Sequence, residues 1–189
     1  MASEVDTPAS LSVPDLWVLS IARSGNVPDI PTVYKAMGVN PRRAVVISDT
    51  PLRLGGVAHN RVVVGADRDA QLWNAGLSYI RQREGGDLWD VLLVDPAAPL
   101  SIPHANYLRE HMRVLDTWMA EPDVFGTIGS RPYHVVHDVR PTDVHPQAVV
   151  VCGEMGLLFD TRYYDPYDSW AEYCRRTRAC GGSVLVSQP

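Results

Sequence analysis

The chain has 189 residues, 46% hydrophobic and 21% charged, with a formal net charge of -5. Such a length and composition belong to one globular domain with a sizeable core, and the negative balance leaves no basic footprint for nucleic acid. No stretch approaches the roughly 18 consecutive apolar residues of a membrane helix, so no membrane span is expected.

Residues 1–14 read as a flexible leader. MASEVDTPASLSVPD is acidic and polar and lacks the apolar segment of a secretory signal. Three cysteines without a Cys-x-x-Cys pair fit reduced thiols, a cytoplasmic location and no structural zinc. Lys35 is the only lysine, so the arginine content reads first as coding bias.

From Leu16 to Ile21 an apolar run predicts a buried strand, and Ser24-Gly25-Asn26 a turn after it. Pro31 to Met37, stopped by Gly38, fits a short helix with proline in its first turn. Arg43 to Ser48 is the second strand, turned by Asp49-Thr50-Pro51, and Arg61 to Val64 the third. Helical spacing of Leu72, Ala75, Gly76, Tyr79 and Ile80 marks a helix over 69–83. Val91 to Val94 then forms a strand that runs into Asp95, and Leu108, Met112, Leu115 and Met119 place a helix over 106–119. Tyr133 to Val139 and Ala148 to Cys152 read as strands, Ser169 to Arg178 as a helix stopped by Gly181-Gly182, and Ser183 to Val186 as a last strand.

The alternation of strand and helix through the first half predicts an α/β fold, a mostly parallel central sheet flanked by helices. In such sheets ligands bind outside the carboxyl ends of strands, and Arg23, Asp49 and Asp95 fall at or just after such ends. No linker divides the chain, so residues 15–189 are expected to form a single domain.

Four stretches in order, VVISDTP, DRDAQLWNAGLSYIRQ, DVLLVDPAAPL and GLLFDTRYYDPYDSWAEYCRRTRACGGSVL, resemble glycosyltransferases of the GT-A fold. The likeness is to the inverting family that uses nucleotide-diphosphate sugars. It implies a donor half over about 15–100 and an acceptor half over about 101–189. It also implies a nucleotide-sugar donor, a hydroxyl acceptor (glycan, lipid, small molecule or protein) and a weakly held Mn²⁺ or Mg²⁺.

Residue by residue, the resemblance assigns Asp49 to the nucleobase, Asn74 and Gly76 to the donor, and Asp95 to the metal motif. Hard oxygen ligands suit Mg²⁺ or Mn²⁺, which would neutralise a diphosphate leaving group. Ala97 stands where the family's second metal-binding acid belongs, and alanine cannot coordinate. Asp95 could therefore hold a cation through water, hold ribose hydroxyls without one, or only form an Asp-Pro turn. Asp49 is equally a turn-former in Ser-Asp-Thr-Pro. Arg23 could reach the diphosphate or make a surface salt bridge. The family's arginine before the Asn is Trp73 here, and Asn74-Ala75-Gly76 could serve packing instead.

Inverting displacement at an anomeric carbon needs a carboxylate that takes the proton of the attacking hydroxyl. Asp168 is the first candidate base, then Glu172, then Asp165. Aligning Cys174 and Arg176 on the family's helix puts Ser169 and Trp170 where its acidic pair belongs. The competing local reading makes Asp168 a helix N-cap, or Ser169 and Glu172 a capping box. Trp170, Tyr163, Tyr164 and Tyr167 could stack on sugar faces or fill the core. His134 and His137 are too far out of phase on a strand to share a metal, and Glu154 follows a strand end. Two alternatives accompany the transferase: a non-catalytic GT-A-like sugar- or nucleotide-binding protein, and a nucleotidyltransferase-like enzyme.

Overall fold

Two apolar runs rich in β-branched residues, WVLSIA and AVVIS, form neighbouring parallel strands whose side chains are almost all buried, as expected of strands covered on both faces. They belong to a computed structural model that describes residues 17–24, 29–36, 38–85, 90–94, 126–129, 137–138, 148–152, 156–180 and 183–186. The strands are β1 (Trp17–Ala22), β2 (Ala44–Ser48), β3 (Asn60–Val63), β4 (Asp90–Val94), β5 (Gly126–Gly129), β6 (His137–Asp138), β7 (Ala148–Cys152) and β8 (Ser183–Val186). The helices are α1 (Ile30–Ala36), α2 (Asp69–Glu84) and α3 (Pro166–Ala179), and one 3-10 turn over Pro41–Arg43 leads into β2.

The fold is α/β. The sheet order is β3-β2-β1-β4-β7-β5-β8-β6. β3, β2, β1 and β4 are all parallel, with Ser20 level with both Val46 and Val94. β7 runs antiparallel to both β4 and β5, while β5 and β8 are parallel and β6 is antiparallel to β8. The mostly parallel character expected of the sheet holds for β3, β2, β1 and β4, and the rest of the sheet is mixed.

Alternation along the strands sends two sets of side chains to opposite faces. Trp17, Leu19, Val45, Ile47, Val91 and Leu93 join the apolar residues of α2 and α3 in one core. Val18, Val46, Leu92 and Val94 join Ile30 and Tyr34 of α1 in the other. On that second face the buried Tyr34 hydroxyl lies 2.8 Å from Ser20 Oγ and 3.3 Å from the Val45 carbonyl, which keys α1 to β1 and β2 together.

Helix α2 starts where the Gln71 side-chain oxygen accepts the main-chain N–H groups of Asp67 and Arg68, at 2.9 and 3.2 Å. It ends at Gly85, whose left-handed φ of 62° lets its N–H return to the Arg81 carbonyl. Asp69 in the first turn and Arg81 and Arg83 in the last complement the helix dipole. Gly76 faces β1: a Cβ there would lie 3.0 Å from Leu19 Cγ and closer still to both δ-methyls. The helix rests on the sheet through that missing side chain.

Helix α3 begins at Pro166, three residues before the predicted start. Proline suits the first helical position because its φ is preset and no N–H is needed there. The Asp165 carbonyl accepts the Ser169 N–H at 3.1 Å, which makes Asp165 the residue flanking the helix. Asp168 and Ser169 consequently lie inside the first turn, and neither is the cap.

Predicted strands and helices fall within a few residues of these elements. β5, with its sequence GTIG, was not expected; glycine at both ends hides a strand that is defined by its partners β7 and β8. Of the strand predicted over Tyr133–Val139, β6 covers His137 and Asp138. The leader over 1–14, the helix over 106–119, Asp95, His134 and Glu154 lie outside the described residues.

Candidate functional site

Beginning at β1, the chain lays β2 and β3 outward on one side, then returns through α2 to place β4 on the other side of β1. At such a reversal, here outside the carboxyl ends of β1 and β4, ligands of doubly wound sheets bind in the crevice between the strand ends. Arg23 and Ser24 follow β1 at this edge, Asp49 follows β2, and Asp95 comes directly after Val94 of β4.

Asp49 is turned toward the end of β1. Its Oδ1 accepts the Ser24 N–H at 2.7 Å and its Oδ2 accepts the Ser24 hydroxyl at 3.0 Å. Desolvation is the largest single influence on this carboxyl and favours its protonation. The Ser24 bonds, a hydrogen bond from Thr50 and the Arg23 charge together outweigh it, so its pKa lies below the ordinary value. A carboxylate offers about four acceptor positions, so beside the Ser24 and Thr50 bonds Asp49 keeps about one for a further donor.

Arg23 turns toward α2: its Nε lies 2.5 Å from Asp69 Oδ1, and Nη1 donates to the Asp67 carbonyl at 3.0 Å. The pair is about one-third exposed, and it ties the end of β1 to the start of α2. Next along, Arg68 donates to the Thr161 carbonyl and lays its guanidinium 3.7 Å from the centre of the Tyr164 ring. A continuous series of contacts thus runs from Asp49 through Ser24, Arg23, Asp69 and Arg68 to the loop before α3.

α3 starts on this same edge. β8 runs in the direction of β4, since β7 opposes β4, β5 opposes β7 and β8 follows β5. A helix that leads into β8 and packs along the sheet must therefore begin at the carboxyl ends. Asp168, in its first turn, is exposed to solvent there.

Glu172 is placed differently from the role of base expected as second choice. It is 7% exposed, and both its oxygens accept Arg176 Nε, at 2.7 and 2.8 Å, with Arg175 at 3.3 Å. Arg176 also donates to the Leu158 carbonyl, so Glu172 anchors the loop to α3. It does not reach back to form a capping box with Ser169, whose buried Oγ has no hydrogen-bond partner.

Asn74 and Gly76 serve the fold. The Asn74 amide donates to the Phe159 carbonyl at 2.8 Å and accepts the Phe159 N–H at 2.7 Å. Gly76 admits Leu19. The pair thus contacts the loop through Asn74 and the sheet through Gly76.

The loop is sorted in the same way. Phe159 stacks on Tyr173 with ring centres 4.5 Å apart and meets Trp170 edge-on at 4.8 Å, so Trp170 is core. Tyr163 is half-buried, and Tyr164 is 72% exposed. Asp160 is gripped by Arg162, whose side-chain and main-chain bonds hold its carboxyl at about 2. Among the described residues, no group of three or more His, Cys, Asp or Glu side chains converges to hold a metal, and Asp95 lies outside them.

Arg68 and Asp69 were not singled out in the sequence. Their signal was the charged triplet Asp67-Arg68-Asp69 directly before a helix that starts at this edge. No family model matches this chain, and no curated protein matches it.

Proposed function

We propose that this protein is an inverting glycosyltransferase that moves a sugar from a nucleotide-diphosphate donor to a hydroxyl acceptor. The observation that carries the reading is the exposed Asp168 in the first turn of α3, on the edge where Arg23 and Asp49 close the strands at the switch point. In this reading Asp49 accepts a hydrogen bond from the base and Arg23 stands beside the donor. Asp168 takes the acceptor's hydroxyl proton as that oxygen attacks the anomeric carbon. The bond from the anomeric carbon to the phosphate oxygen breaks on the opposite side, and the nucleoside diphosphate leaves with the electron pair. The ordered resemblance of four stretches supports the same assignment, and the GT-A fold belongs to it. Asp95 is the residue that would meet a Mn²⁺ or Mg²⁺, which would offset the charge of the departing diphosphate.

A panel of UDP- and GDP-sugars, with and without Mn²⁺, tests this through release of nucleoside diphosphate. Asp168→Asn should reduce turnover by about 10²-fold or more while leaving the melting temperature unchanged. Glu172→Gln should do the reverse, lowering stability by about 1 kcal/mol because its arginine partners stay partly solvated. Absence of binding and turnover across the whole panel would refute the proposal.

One observation favours a second reading, a non-catalytic sugar- or nucleotide-binding protein: Asn74 and Gly76 are both engaged by the fold. Nucleotide-sugar binding without turnover, unaffected by Asp168→Asn, would select it.

A further inference from the structure

Tyr164 is the most exposed large hydrophobic side chain among the described residues, yet it is held in place. The Arg68 guanidinium lies 3.7 Å from its ring centre, against one face. Arg68 is itself anchored, since it donates to the Thr161 carbonyl three residues before the tyrosine. Its Nε is buried without a hydrogen-bond partner, 3.8 Å from Asp67, so the guanidinium forgoes a bond in lying against the ring. The loop that carries Tyr164 is fixed again through Asn74 on Phe159 and Arg176 on Leu158. With 72% of its surface in water and one face covered, the ring offers its other face to solvent. An immobilised aromatic face loses little conformational entropy when something stacks on it.

We propose that Tyr164, backed by Arg68, is a stacking platform for a neutral sugar ring, which on the transferase reading is the acceptor's. The chemistry of the surroundings selects that class. Within four positions of Tyr164 along the chain, Arg162 is set against Asp160, Asp165 and Asp168, and the Arg68 that backs the ring lies 3.8 Å from Asp67; this acidic balance disfavours an anionic ligand. A pyranose offers a C–H face to the ring and hydroxyls that donate to carboxylates. The platform lies four residues before Asp168, on the loop that leads into the same helix, and both side chains are exposed. Arg68 acts through Tyr164 and is a positioning residue.

The test uses the full chain and three probes: the methyl α-D-pyranosides of glucose, mannose and galactose. Saturation-transfer NMR should show the C–H face of at least one of them against the protein. Tyr164→Ala should weaken its binding about ten-fold, and Tyr164→Trp should keep it. Arg68→Ala should weaken it about three-fold, with Arg68→Lys recovering part of the loss. Because Tyr164 is exposed, its variants should melt with the wild type. Failure of all three glycosides to bind, or binding untouched by Tyr164→Ala, overturns the platform. Nucleotide-sugar binding by the same variants separates the two proposals. If glycosides bind through Tyr164 but no nucleotide-sugar binds, the platform stands and the transferase reading falls. If nucleotide-sugars bind and turn over while Tyr164→Ala changes nothing, the reverse holds.

Discussion

At both ends of the parallel strands an arginine and a carboxylate join α2 to the sheet, but the two ends differ in what they leave over. At the amino ends, Glu84 accepts the Trp17 indole N–H at 2.6 Å and pairs with Arg43, whose guanidinium lies 5.1 Å from the Trp17 ring. Each polar group there meets another, and the indole is 5% exposed. At the carboxyl ends, Arg23 and Asp69 make the corresponding tie, yet Asp49 keeps an acceptor position while Asp168 and Tyr164 face water. The same device closes one end and only frames the other. Solvent-facing side chains lie where the chain reverses, and on the proposed function those are the ones that would meet a ligand.

The sharpest way to break this contrast is to remove a tie that the carboxyl end depends on. Asn74→Ala leaves both the N–H and the carbonyl of Phe159 without partners, and should cost about 3 kcal/mol in denaturant unfolding. It should also release the loop that carries Tyr164, so ligand affinity falls with stability. At the closed end, Glu84→Gln keeps an acceptor for Trp17 but removes the charge facing Arg43. A loss of about 1 kcal/mol is expected, with nucleotide-sugar affinity unchanged because the proposed site lies at the other end. A large drop in affinity there would show that the two ends are not separate.

The smallest effect concerns Asp160. Its folded pKa of about 2 lies below the ordinary 3.8, so the stabilisation from Arg162 is complete above about pH 4 and disappears as pH falls toward 2. Asp160→Asn should flatten the acid limb of a stability-versus-pH curve in that window alone. An unchanged limb would show that the Asp160–Arg162 pair does not hold the loop.

Where the sequence was legible, local pattern and burial coincided. β1, β2 and β4 announce themselves as apolar runs, and α2 as a 3.6-residue period ended by glycine. The start of α3 was misplaced because Asp168 and Ser169 each have the chemistry of a cap, whereas Pro166 at the first helical position decides the boundary. Arg23 and Asp49 could be placed after β1 and β2 because strand ends can be read one segment at a time. The duties of Asn74 and Arg68 could not be read so, since their partners Phe159 and Thr161 lie 85 and 93 positions along the chain. The surplus or shortage of a polar residue's bonds is a tertiary property, and it separated Asp168 from Glu172 on one helix.

The placement of Tyr34 under β1 and β2 gives the protein an internal optical indicator. Burial raises the pKa of this phenol far above the ordinary value of 10.0, and the hydrogen bond to Ser20 only partly offsets it. The contribution of the neutral ring to folding is therefore complete below about pH 10 and erodes as alkalinity rises. In a spectrophotometric titration of the eight tyrosines, Tyr34 should form its phenolate only once α1 has lifted from the strands. A late, abrupt step in tyrosinate absorbance would time that separation without any added label.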